Sequence, residues 1–168
     1  MKREQKSLTN KGFSLVELII VVAIMAVLIG VLAPQYLRYV EKTRLQRDNT
    51  GISDFANVLK IAATEEKVNA EIGAAGTAGL TYTFDASATP PSLKAPASGA
   101  TNLDGEVTLT VDLGDVTLTS NTYTKGAAGA TPTLPEITVK VDTNGIVSVE
   151  CSNFKETPNQ ATGTVKKF

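Results

Sequence analysis

Glu17 is the only ionisable residue in the apolar run from Phe13 to Ala33. An ionised carboxylate near the middle of a bilayer costs roughly 2.5–3.5 kcal/mol on insertion scales, so ionisable residues in membrane segments usually serve a function. Glu17 lies four residues after Phe13, about one helical turn. Its role is therefore the first chemical question that the sequence raises.

Side-chain catalysis has little support in this composition. The chain has no histidine and one cysteine, which excludes a histidine base, a histidine metal ligand, a Cys–His pair and an internal disulfide. Aromatic residues make up 5% of the chain and tryptophan is absent. We predict a structural protein that is not an enzyme, with no catalytic residue and no cofactor.

Two weaker signals lie near the C-terminus. Asp142-x-Asn144-Gly145 resembles part of a calcium loop, but three oxygen-bearing residues fall short of the roughly 6–8 ligands that calcium takes. A hairpin turn is the preferred interpretation, and no metal site is predicted. Cys151 shares a strand face with Val147 and Val149, which favours a buried, inert thiol.

The run Phe13–Ala33 has the length of a membrane span. As a helix it measures about 31 Å, against a hydrocarbon core of about 30 Å. A cleaved signal peptide has an apolar region of only about 7–15 residues and a small-residue cleavage site, which Val31-Leu32-Ala33 matches poorly. We predict a retained helix with its N-terminus inside, because Lys11 borders the run, although basic residues also follow it: Arg38, Lys42, Arg44 and Arg47.

The helical pattern continues beyond the apolar run. After Pro34 the apolar residues keep to one side of the predicted helix. Charged residues occupy its other sides and include the pairs Glu41–Arg44 and Arg44–Asp48. Gly73-Ala74-Ala75-Gly76 predicts the end of one helix of about 60 residues, roughly 90 Å long. From Pro34 to Ile72, apolar residues recur along one stripe: Leu37, Val40, Leu45, Ile52, Phe55, Leu59 and Ala62.

After Gly79 the periodicity changes to that of strands. Asp142-Thr143-Asn144-Gly145 predicts a hairpin between the last two of them, and residues 85–104 and 125–135 predict surface loops. The apolar content is small for an isolated sheet, so we expect the sheet to pack on the 52–62 stripe. The predicted strands are Leu80–Phe84, Glu106–Asp112, Val116–Thr119, Glu136–Asp142 and Ile146–Cys151.

The segment from Lys11 to Leu18, KGFSLVEL, resembles the class III leader and mature N-terminus of type IV pilins and of type II secretion pseudopilins. The resemblance implies that a prepilin peptidase cuts after Gly12 and methylates Phe13, and that the retained helix packs at the centre of a filament. It is specific over about residues 11–34. The implied fold is α+β, the pilin fold, in which a long N-terminal helix with a membrane half and an amphipathic half packs on a small, mostly antiparallel sheet.

The resemblance also suggests roles for the residues of the helix. Glu17 would be the glutamate on which assembly depends. After cleavage it would pair with the Phe13 ammonium, taken in this family from a neighbouring subunit; a tolerated glutamate near the membrane face is the alternative. Pro34 falls where pilins commonly carry a helix proline and clashes with the Gly30 carbonyl, giving either a functional bend or a simple kink at the membrane surface.

The expected organisation has four segments. They are a basic leader at 1–12, a transmembrane or filament-core half-helix at 13–33, an amphipathic half-helix at 34–72 and a globular β-sheet domain at 73–168. The missing disulfide departs from the usual pattern of diderm bacteria and indicates a Gram-positive-type pilin.

The leading functional hypothesis is a major pilin that polymerises into a surface pilus, or fimbrium, for adhesion, aggregation or twitching motility. A pseudopilin or minor pilin is the alternative, and a monomeric membrane-anchored binding module is the second. The implied partners are copies of the same chain, the prepilin peptidase, the assembly machinery and the membrane. The net charge of −1 gives no footprint for nucleic acid. The chain is expected in the cytoplasmic membrane first and then in an extracellular pilus.

Overall fold

The computed structural model describes residues 12–96, 100–125, 132–158, 160 and 163–168. These residues form an α+β fold, as predicted. The chain divides into two compact units, residues 1–39 and residues 40–168. Helix α1 (Leu15–Ala62) contributes residues 15–39 to the first unit and residues 40–62 to the second.

The second unit combines three further α-helices with one antiparallel sheet. The helices are α2 (Glu66–Ala74), α3 (Thr101–Thr110) and α4 (Asn121–Thr124), with a short 3₁₀ turn at Gly76–Ala78. The strands are β1 (Leu80–Asp85), β2 (Ser92–Lys94), β3 (Glu136–Val141), β4 (Val147–Ser152) and β5 (Lys166–Lys167). Their order across the sheet is β2-β1-β3-β4-β5.

The sheet packs on α1 along the predicted stripe. Phe55 packs edge-to-face on Tyr82 of β1, with ring centroids 5.1 Å apart. Inward-facing Ile137, Val139 and Val149 of β3 and β4 complete the same core. The stripe residues that are buried on α1 are Leu45, Ile52, Phe55, Leu59 and Ala62.

The predicted single helix to residue 72 is wrong. Helix α1 ends at Ala62, the Glu65 N–H donates to the Ala62 carbonyl at 3.2 Å, and α2 begins at Glu66. The break allows Val68 and Ile72, one turn apart on α2, to enter the core. The spacing of the apolar residues indicated helix on both sides of the break. It gave no sign of where the break falls.

The predicted strand Glu106–Asp112 is also wrong, because Thr101–Thr110 is helix α3. Leu103 and Val107, four residues apart, are buried, whereas Leu109 is 82% exposed. The Glu71 carboxylate of α2 accepts the N–H groups of Asn102 and Leu103 and satisfies free donors at the start of α3.

The other β predictions are confirmed in part. The strands predicted near Leu80, Glu136 and Ile146 are β1, β3 and β4. Val116–Thr119 forms no strand and makes one isolated bridge, Thr117 to Ser92. The predicted loop at 85–104 contains β2 and the start of α3. In the predicted loop at 125–135, residues 126–131 lie outside the described residues.

The β3–β4 hairpin is confirmed, with a turn that differs in one respect. The Gly145 N–H donates to the Asp142 carbonyl at 2.9 Å, and Gly145 has a φ of 77°. The Asp142 carboxylate accepts the Asn144 N–H. Gly145 has a positive φ and Asn144 does not, as in a turn followed by a bulge. In the type I′ turn that an Asn-Gly pair usually indicates, both residues would have a positive φ.

Two carboxylates of α1 hold the segment that leads into α4. Asp48 accepts from the Thr119 N–H, the Thr119 hydroxyl and the Ser120 N–H. Glu41 accepts from the Ser120 hydroxyl, the Thr122 N–H and the Thr122 hydroxyl. The predicted pairs with Arg44 are wrong, because the ion pairs among the described residues use Lys140, Lys166 and Lys167.

Candidate processing and assembly site

Glu17 lies in the first turn of α1, where the preceding backbone holds its carboxylate. The Ser14 N–H donates to Glu17 Oε2 at 2.9 Å, and the Leu18 N–H donates to the Ser14 carbonyl at 3.2 Å. Ser14-Leu15-Val16-Glu17 fits the S-x-x-E pattern of a capping box, in which the third helical residue reaches back to the N-cap N–H. Glu17 thus satisfies a donor at the helix start and places negative charge at the positive end of the helix dipole.

Gly12 and Phe13 precede α1 and belong to no helix or strand. The Phe13 side chain is 89% exposed. A Cβ added at Gly12 would meet no atom within 4 Å in the described chain. The fold itself therefore places no steric demand for glycine at residue 12, and any such demand comes from a partner that handles this segment.

The structure places Gly12, Phe13 and Glu17 within one stretch at the start of α1. In this uncut chain the Phe13 nitrogen belongs to a peptide bond, so no ammonium is present for Glu17 to pair with. The observed partner of Glu17 is the Ser14 N–H. Ser14 is the residue that sequence reasoning missed, although the S-x-x-E spacing was a signal for it.

The first part of α1 is apolar on every side. Its large apolar side chains are exposed, from 72% at Leu15 to 50% at Val21. An 18-residue window of α1 has a mean hydropathy of 3.1, so by length and composition this helix can cross a membrane. A helix that is apolar all round needs an apolar environment, from lipid or from other helices.

Pro34 lies inside α1, which is assigned without interruption from Leu15 to Ala62. Proline has no N–H, so the Gly30 carbonyl lacks its usual donor four residues ahead. A Cβ added at Gly30 would meet nothing within 4 Å. A bend or loosening of the helix between Gly30 and Pro34 stays a prediction.

Cys151 is buried and forms no disulfide, so its predicted burial is confirmed. Burial raises the pKa of the thiol to about 12, so it stays protonated near neutral pH. Within the described ranges, no group of three His, Cys, Asp or Glu side chains is placed to hold a metal ion.

The start of the chain matches a known family model. The family model described as the prokaryotic N-terminal methylation motif matches residues 8–33. This match supports a class III leader and N-terminus of the kind found in type IV pilins and pseudopilins. Neither the curated proteins nor the solved structures contain a significant match to the chain.

The motif has three consequences for this chain. It implies processing by a prepilin peptidase and handling by an assembly machinery in the membrane. Together with the apolar helix, it fits membrane anchoring before assembly. It also indicates a structural, non-enzymatic protein.

Proposed function

We propose that this chain is a pilin subunit of the Gram-positive type, which polymerises through its N-terminal helix into a type IV pilus. The observation that carries the proposal is the start of α1. An all-round apolar helix begins at Leu15, and its one charged residue before Arg38 is Glu17. A membrane anchor alone needs neither the methylation motif nor this glutamate.

The proposed sequence of events begins with cleavage after Gly12, on the cytoplasmic side of the membrane. Cleavage turns the Phe13 nitrogen into an amine, which is then methylated. In the uncut chain one oxygen of the Glu17 carboxylate accepts the Ser14 N–H. The second oxygen can accept a hydrogen bond from the new ammonium of a neighbouring subunit. Burial of both charges then depends on correct docking, so Glu17 sets the register of the filament.

Adhesion, aggregation or surface motility are the uses that such a pilus would serve. A pseudopilin or minor pilin is the second candidate, because the methylation motif is common to both kinds of protein. The two differ in the amount and length of filament, with a long surface pilus for the major pilin and a short or tip-limited assembly for the others.

The test has two measurements, the identity of the mature N-terminus and the presence of surface filaments. Peptide sequencing and intact mass should give a mature chain that begins at N-methylated Phe13. Electron microscopy should show surface filaments on cells that make the protein and none on cells that lack it. A chain that still begins at Met1, or that begins at Pro34, contradicts the proposal.

A glycine substitution tests the processing step by itself. Gly12→Val should leave the precursor uncut, because a β-branched side chain would crowd the peptidase. The fold has open space at this position, so a folding defect is not expected. Normal cleavage of Gly12→Val would contradict the assignment of Gly12 as the recognition glycine.

A further inference from the structure

A groove runs along one flank of α1 in the second unit. Its main cavity, of about 480 Å³, lies between α1 and residues 111–117, with Val58 and Val116 among its apolar lining. A smaller cavity of about 130 Å³ shares Val58 and extends the groove to Ile61. The Ile61 side chain is 71% exposed. The surface is thus concave, partly apolar and open to solvent.

Gly51 lies within this groove, in the interior of α1. A Cβ added there would meet no atom within 4 Å. Glycine in a helix interior destabilises the helix relative to alanine. The described fold of a single chain gives no reason for this cost, whereas a bare backbone lets a second helix approach closely.

The charges along the groove separate by sign. Arg47 lines its N-terminal end, and the exposed Arg44 precedes it on the same flank of α1. Acidic residues line the remainder: Asp54, Asp115, Glu65 and Glu106. The flank itself repeats at alternating steps of three and four, as in helix–helix seams: Arg44, Arg47, Gly51, Asp54, Val58 and Ile61.

We propose that this groove docks a second copy of the chain, with the Arg44–Arg47 end of one α1 against the acidic part of the neighbour's groove at Asp54 and Asp115. A parallel copy displaced by about ten residues, or about 15 Å along α1, brings the opposite charges together. Because the two contacting surfaces differ, the contact repeats head to tail. The inference rests on the proposed self-assembly and names the surface that it uses.

The first test uses a matched pair of glycines. Gly51→Leu places a side chain in the groove, and Gly73→Leu places the same side chain on α2, where a Cβ also has open space. Both should raise the stability of the detergent-solubilised subunit, because leucine is the better helix former. Gly51→Leu alone should lower the yield of sheared filament at least tenfold. Equal filament yields from the two variants would overturn the groove contact.

The second test measures proximity directly. Arg44→Cys combined with Asp54→Cys should give disulfide-linked dimers and higher ladders under mild oxidation, in membranes and in sheared filament. The two positions are about 15 Å apart on one helix, too far for a bond within one chain. Either single variant, and the pair Lys42→Cys with Asp54→Cys, should give at least fivefold less dimer, since Lys42 lies on the opposite flank. Buried Cys151 stays out of the reaction.

The outcomes separate the two proposals. Wild-type filament together with no excess of 44–54 dimer overturns the groove contact and leaves the pilin function standing. Absence of wild-type filament overturns the pilin function. An excess of 44–54 dimer in membranes in that case would still support the groove as a contact between copies.

Discussion

Asp48 on α1 accepts the backbone N–H of Ser120 at 2.7 Å and so joins residues that are 72 positions apart. Asp48 is 3% exposed and lies between the buried residues Leu45 and Ile52 on the helix. The next residue of α1 makes two further long-range contacts: the Tyr123 hydroxyl donates to Asn49 at 2.8 Å, and the Asn49 amide donates to the Lys155 carbonyl at 2.8 Å. Helix α1 is therefore part of the globular fold and not only an anchor.

The first prediction concerns truncation. Removal of residues 1–34 should leave a soluble monomer that unfolds cooperatively, because all the buried core residues of the described chain lie at or after Leu45. Removal of residues 1–72 should prevent folding, because it deletes Leu45, Ile52, Phe55 and Leu59 from the core. Circular dichroism during thermal unfolding distinguishes the two fragments. Full stability of the 73–168 fragment would contradict the packing of the sheet on α1.

The second prediction concerns the Asp48 carboxylate. In the 35–168 fragment, Asp48→Ala should lower the free energy of unfolding by about 1–3 kcal/mol for each buried donor that loses its acceptor. Asp48→Asn should lower it less, because one amide oxygen can still accept both N–H groups while the amide nitrogen donates to the Thr119 hydroxyl. Urea denaturation gives both values. Equal losses would mean that the hydrogen bonds are not the source of the effect.

The third prediction concerns pH. Burial raises the pKa of Glu41, but hydrogen bonds from Ser120 and Thr122 outweigh it, so the folded pKa lies below the ordinary 4.5. The stabilisation from ionised Glu41 is therefore complete above pH 4.5 and is lost as the pH falls through the folded pKa. Glu41→Gln should be less stable than wild type at pH 6, and the difference should shrink towards pH 3.

Asp48 provides a control, because its contribution to stability should change with pH in the opposite direction. Burial raises its pKa above the ordinary 3.8 despite the hydrogen bonds from Ser120 and Thr119. Its stabilisation is complete below pH 3.8 and is lost as the pH rises through the raised folded pKa. Relative to wild type, Asp48→Asn should therefore gain stability between pH 3 and pH 6, whereas Glu41→Gln should lose it. If the stabilities of both variants change in the same direction with pH, one of the two assignments is wrong.

The sequence predicted those features that depend on the spacing of residue types within a short stretch of the chain. The apolar run at the start of α1, the buried stripe from Leu45 to Ala62 and the hairpin at Gly145 all follow from neighbours in the chain. Helix α3 did not, because Val107, Leu109 and Val111 alternate as in a strand while its start depends on Glu71 of another helix. The roles of Glu41 and Asp48 were missed for the same reason, since their partners lie more than 70 residues away.

The fourth prediction concerns Glu17. Glu17→Ala should insert and be cleaved normally but fail to form filament. Insertion should become easier, because the substitution removes a charge that costs roughly 2.5–3.5 kcal/mol in the membrane. Assembly should suffer, because the Phe13 ammonium would be buried without its partner. Loss of one member of a buried pair costs about 3–5 kcal/mol, and in a head-to-tail polymer the loss recurs at every subunit.

Two further variants separate the charge of Glu17 from its hydrogen bond to Ser14. Glu17→Gln can still accept the Ser14 N–H, as glutamine does in capping boxes, but it carries no charge for the ammonium. Its filament yield should lie between those of Glu17→Ala and wild type. Ser14→Ala keeps the backbone donor and the carboxylate, so it should assemble nearly as well as wild type. Immunoblots of sheared filament against processed membrane-bound subunit give the yields. A wild-type yield from Glu17→Ala would mean that the carboxylate serves only the helix start, and a wild-type yield from Glu17→Gln would assign the assembly role to the hydrogen bond rather than to the charge.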